Sequence, residues 1–256
     1  MNRTLRNEAR ELLQQCRQAP PVLITEAHLL GLPEPVQRYL SYSQVVGKEP
    51  IRTVRLKQHG KMRQSARQPW MKFDAEEYYS VNPPGFLWVG TMRKGGFPLV
   101  RARDRYRDGK GNMQIKLGTI FTIADATGEE MDQGSMMRYL NERMWFPTAF
   151  LEANVSFEPV DQTSAKVTLT DVGKHVTATM YFDEEGRVTN FVAPRYREVS
   201  GKNELATWST PITAYGEFGG LKLPVEAKAV WKLKEGDLEY FDVVITDLEY
   251  NVTTPY

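Results

Sequence analysis

From Ile51 to Tyr250 apolar and polar residues alternate in short runs, the period-two pattern of strands with one buried and one wet face. Met71, Phe73 and Ala75 oppose Lys72, Asp74 and Glu76; Val176, Ala178, Met180 and Phe182 oppose His175, Thr177 and Thr179. The second run meets turn residues at Asp183-Glu184-Glu185-Gly186 and returns from Arg187 to Val192, which predicts a hairpin. A further hairpin is expected where Val225, Ala227, Ala229, Trp231 and Leu233 share a face, Glu235-Gly236-Asp237 turns the chain, and Phe241, Val243 and Ile245 resume the pattern.

One helical pattern interrupts the strands. Asp132 or Ser135 is expected to cap it, Met136, Tyr139, Leu140 and Met144 form its buried side, and Trp145-Phe146-Pro147 stops it before a short turn through Leu151. A helix placed mid-sheet needs an apolar surface, and a curled sheet offers one on its concave face. The expected fold is therefore mainly β (α+β): a curved antiparallel open barrel, with helices on its concave face and an N-terminal helical segment.

Residues 1–50 read as that segment, packing on a main β domain of residues 51–256 whose inserted helix spans about 132–151. Leu5, Ala9, Leu12, Leu13 and Cys16 recur at helical spacing, and Pro20-Pro21 should break the helix. A short helix is expected from Thr25-Glu26, and another over Pro33 to Tyr42, where Val36, Tyr39 and Leu40 form a face that covers part of the sheet.

The net charge of +1 gives no reason to expect a nucleic-acid partner, and membrane contact should be at most peripheral. Its distribution is uneven: Lys48 to Arg67 is almost wholly basic, whereas every charge from Glu235 to Glu249 is acidic. The simpler reading makes these the solvated faces of the first and last strands, close enough to complement one another; the sharper one makes the basic run a surface for an anionic head group. Residues 1–18 carry four arginines and no unbroken apolar stretch, so the expected location is cytoplasmic. One cysteine forbids an intrachain disulfide, and three scattered histidines, His28, His59 and His175, lack ligand spacing; neither a metal site nor a cofactor is expected. Motifs for a nucleophile elbow, a zinc protease, a phosphate loop and a dinucleotide fold are absent. Gly109-Lys110-Gly111 and Lys94-Gly95-Gly96 read as hairpin turns.

Candidate site residues are those that break an apolar register. Along Phe97 to Arg107 one face carries Arg101, Arg103, Arg105 and Arg107, and the other Val100, Ala102, Asp104 and Tyr106, so Asp104 points inward and must be paired or hydrogen-bonded. Arg138 and Glu142 lie one helical turn apart. Their simplest role is a surface bridge; the sharper hypothesis has Arg138 joining Asp104 to Glu142 as the polar floor of an apolar cavity, in which case Arg138→Met should cost ligand retention more than folding. Trp88, Trp145 and Trp208 are candidates for the cavity wall, with Met136, Met137 and Met144 as adaptable filler.

The run Arg138-Tyr139-Leu140-Asn141-Glu142-Arg143-Met144-Trp145-Phe146-Pro147-Thr148-Ala149 and the segment Asp104-Arg105-Tyr106-Arg107-Asp108-Gly109-Lys110-Gly111 resemble a widespread bacterial family without assigned activity, over roughly residues 32–251. The order of elements also resembles, more weakly, the lipoprotein-carrier half-barrel. Two functional readings follow. The preferred one is a non-catalytic binding or carrier protein for a lipid or other hydrophobic small molecule, held by Trp88, Asp104, Tyr106, Arg138, Glu142, Trp145 and Trp208. The alternative is an enzyme, a hydrolase or isomerase, using inward carboxylates in the same cavity.

Overall fold

In the computed structural model, which describes residues 1–16, 22–94, 97–118, 121–199 and 201–256, fourteen antiparallel strands form one large open curved sheet. They are β1 (Thr53–Met62), β2 (Met71–Ser80), β3 (Gly85–Lys94), β4 (Phe97–Arg107), β5 (Lys110–Leu117), β6 (Phe121–Ala126) and β7 (Val155–Asp161). Then follow β8 (Ser164–Asp171), β9 (Lys174–Phe182), β10 (Val188–Val199), β11 (Lys202–Ser209), β12 (Ile212–Phe218), β13 (Leu221–Leu233) and β14 (Gly236–Tyr250). The order across the sheet is β6-β5-β4-β3-β2-β1-β14-β13-β11-β10-β9-β8-β7, with β12 paired only to β13. Two meanders thus run outward from a central β1–β14 seam, and the segment joining β6 to β7 must travel from one edge of the sheet to the other.

That traveller is the helix α3. With α1 at Arg3–Gln14 and α2 at Glu34–Tyr42, α3 spans Glu129–Glu142 and runs on through helical turns at Arg143–Trp145 and Pro147–Leu151. It begins earlier than its sequence suggested: Gly128 stands at the N-cap, and Glu129, Glu130 and Asp132 fill the first turn, where acids favour the positive end of the helix dipole. Asp132 and Ser135 are therefore not caps but buried positions inside the helix. Asp132 instead pins α3 to the sheet: its carboxylate accepts from the Gly111 amide at 2.9 Å, from Lys110 Nζ at 3.0 Å and from Lys174 Nζ at 2.8 Å.

The β1–β14 seam brings the two charge runs together. Arg55 meets Glu249 at 2.8 Å, Lys61 meets Asp242 at 3.2 Å and Lys57 meets Asp247 at 3.6 Å. Cross-strand pairing of opposite charges is the simpler of the two readings, and these three basic side chains are engaged in it. Two of the outward arginines of β4 are likewise occupied: α1 packs Leu5, Ala9, Leu12 and Leu13 against Tyr78, Leu87 and Val89, and its Glu8 bridges both Arg103 and Arg105. α2 joins the main core instead, with Tyr39 against Phe150 and Phe182.

Both hairpins form, with β10 running on past Val192 to Val199. In the β4–β5 turn Asp108 and Gly109 adopt positive φ, 53° and 73°, which glycine tolerates at little cost. Lys110 and Gly111 already belong to β5; at Gly111 a Cβ would stand 2.4 Å from the Met131 carbonyl oxygen, so its missing side chain is what lets α3 sit down. Pro20, Pro21, Gly95 and Gly96 lie outside the described residues.

Candidate functional site

Three elements converge on one guanidinium. Arg138, on α3, sends Nη1 to Asp104 Oδ2 of β4 at 2.9 Å, Nη2 to Glu77 Oε1 of β2 at 2.7 Å, and Nε to Glu142 Oε1, one helical turn on, at 2.7 Å. The guanidinium carbon lies 4.9 Å from the Phe86 ring centre and 5.4 Å from that of Trp88, an arrangement that adds cation–π attraction to the three charge-assisted bonds. The bridge from Asp104 to Glu142 is the one the sequence suggested. Glu77 is the member it missed.

A second ring of donors completes most of the network. Gln58 Nε2 reaches Glu77 Oε2 at 2.7 Å, and the Tyr79 hydroxyl donates to Glu142 Oε2 at 3.0 Å, so both oxygens of each glutamate are satisfied. Asp104 differs: Oδ1 has no partner among the described residues, and neither has the indole N–H of Trp88. Glu77 is fully buried, with Asp104 and Glu142 only 3% and 7% exposed. Burial pushes the Glu77 carboxyl well above its ordinary value of 4.5 despite the opposing pull of Arg138, and raises Glu142 for the same reason. Burial and the neighbouring Glu142 also hold the Tyr79 phenol well above its ordinary value, which keeps it a donor.

The sign of the pH effect follows. A carboxyl whose folded-state value is raised binds its proton more tightly in the folded protein, so its stabilising contribution is full below pH 4.5 and declines as pH rises through the folded value. Glu77→Gln removes that decline. The melting temperature of the variant relative to the parent should therefore be more favourable at neutral pH than at pH 4.5; a constant or opposite difference in paired thermal scans would contradict the assignment.

Arg138, Asp104 and Glu142 form one side of a cavity of about 310 Å³ beneath α3. The rest of its lining is dominated by apolar side chains, including Trp88, Trp145 and Trp208 and five of the chain's ten methionines, Met62, Met71, Met92, Met113 and Met144. Of the sequence candidates, Trp88, Asp104, Arg138, Glu142, Trp145 and Trp208 all border this space. Tyr106 does not. It shares the inward face of β4 with Asp104, but it is fully buried, its ring stacks on Tyr139, and its hydroxyl donates to Asp171 at 2.7 Å, which places it in packed core. Met136 and Met137 are core residues too, and Met144 alone of the expected three reaches the wall. Cations border the cavity as well: Arg195 lies over the Trp208 ring at 4.6 Å, while Lys228 pairs with Glu239 at 3.0 Å.

A family model described as a family of unknown function, DUF6544, matches residues 22–243. The chain belongs to that family. No curated protein matches this DUF6544 chain. Among solved structures it is similar to a LolA superfamily protein from Nitrosomonas europaea, at 8% identity and a TM-score of 0.45, over 88% of this chain and 93% of the other. It is also similar to a proposed outer membrane lipoprotein-sorting protein domain from Vibrio parahaemolyticus, at 8% identity and a TM-score of 0.43, over 78% of this chain and 85% of that one. Among the described residues of the DUF6544 chain no helix is long and apolar enough to cross a membrane.

Proposed function

We propose that the protein is a non-catalytic binding or carrier protein for a lipid or another hydrophobic small molecule. The observation that carries this reading is the contrast within the cavity: a wall rich in methionine, tryptophan and aliphatic side chains, and a polar cluster where Arg138 gathers its carboxylates. An apolar pocket with a few convergent polar groups is the usual form of a small-molecule site, and its volume is at the lower end of that class, near 300 Å³. Methionine, unbranched and polarisable, lets such a wall fit flexible chains. Filling the space tests the reading. Ala229→Trp, which projects from β13 into the cavity, should abolish binding of an environment-sensitive apolar dye while the protein still unfolds cooperatively; undiminished dye binding by a folded variant would overturn it.

One observation favours a second reading, an enzyme of the hydrolase or isomerase type. Asp104 and Glu142 border the same cavity and are held by the same guanidinium in unlike surroundings, both oxygens of Glu142 being hydrogen-bonded while Asp104 keeps one oxygen without a partner among the described residues. Under that reading Asp104 is the base, and Asp104→Asn would remove turnover of a bound ester or carbonyl compound without removing its binding.

A further inference from the structure

The carrier reading says that the ligand is hydrophobic; the polar end of the cavity says what its head must do. Trp88 and Asp104 both line the cavity, each is 3% exposed, and each keeps one polar atom without a partner among the described residues, the indole N–H of Trp88 and Oδ1 of Asp104. They are direct cross-strand partners on β3 and β4, so the two side chains leave the same face of the sheet side by side. An indole nitrogen only donates, and a carboxylate oxygen only accepts. A group satisfying both must accept one hydrogen bond and donate another.

Resting on the carrier reading, we infer that the cavity selects amphiphiles whose head is a neutral hydroxyl, such as a long-chain alcohol, over the corresponding carboxylates. A hydroxyl accepts from Trp88 and donates to Asp104 with a single oxygen, the pair of bonds a bridging water would make. A carboxylate head accepts only, and it would bring a further negative charge to an end that already holds Glu77, Asp104 and Glu142 around one guanidinium. An ammonium head is attracted by that charge but leaves the indole N–H bare. An ether oxygen satisfies Trp88 and leaves Asp104 unmet. Arg138 offers an anionic head little net attraction, because its single positive charge is already shared among three carboxylates, each taking one of its N–H groups.

The test is competition of four head groups on one decyl chain, decanol, decylamine, decanoate and decyl methyl ether, against the apolar dye on the full chain. Decanol should displace the dye at a concentration about tenfold lower than any of the others, the penalty of one buried polar group left unpaired. Asp104→Asn should narrow its advantage over the ether, since the amide can turn a donor toward the ligand while its oxygen keeps Arg138. Decanoate or decylamine binding most tightly, all four binding alike, or none displacing a bound dye would overturn the head-group assignment and leave the carrier reading standing. A dye that does not bind at all would remove both.

Discussion

Arg138→Met will lower the unfolding free energy by roughly 3–5 kcal/mol, the usual cost of removing one partner from a buried ionic cluster. Asp104 and Glu142 alone predict a loss chiefly of ligand retention. Glu77 changes that balance: it is fully buried, its Oε1 rests on Arg138 Nη2 at 2.7 Å, and methionine would leave three carboxylates facing one another in a low-dielectric space. The resulting instability should be relieved by acid, which neutralises the carboxyls, and by adding Glu77→Gln to the same chain. Urea denaturation at neutral and acid pH measures both effects. A loss below about 1 kcal/mol, of the order of an exposed ion pair, would show that the cluster is solvated and does not form a buried floor.

Phe146→Ala should cost about 3–5 kcal/mol and take ligand binding with it. Phe146 lies between the turns that follow α3, is fully buried, and packs 4.8 Å from the Tyr79 ring centre and 6.0 Å from that of Tyr139. Tyr79 belongs to β2 and Tyr139 to α3, so this aromatic group fastens the roof of the cavity to its floor. The same Tyr79 carries the hydroxyl that holds Glu142. Loosening the group therefore disturbs the cavity and its polar end together. Chemical denaturation beside dye titration checks this; a variant that loses stability yet binds normally would show that the roof and the site are independent.

Period-two alternation is enough to place strands such as β2, β4 and β9, both hairpins and the inward direction of Asp104, because each depends only on local spacing. Glu77 was open to the same test. It continues the face of Met71, Phe73, Ala75 and Tyr79, but it is flanked by Glu76 and two tyrosines, so the register at that end of β2 reads less cleanly; α1 also covers the outer face there and buries Tyr78. The methionine wall was beyond local reading. Met62, Met71, Met92 and Met113 stand on four different strands, and only the curvature and order of the sheet bring them to one cavity. Tyr106 shows the converse limit: correct facing does not distinguish a cavity wall from packed core, since both lie on the inner side of the sheet. The start of α3 was misplaced because Asp132 resembles a cap, whereas its carboxylate is engaged by β5 and β9 far along the chain.

The central claim, that the space under α3 holds an apolar molecule, is tested most directly by native mass spectrometry of the protein purified from cells without detergent, followed by solvent extraction. The account predicts a bound species that is released as an extractable amphiphile, is absent from Ala229→Trp, and can be replaced by added decanol. Parent protein that carries no such species, and takes up no added amphiphile that Ala229→Trp also refuses, would contradict it.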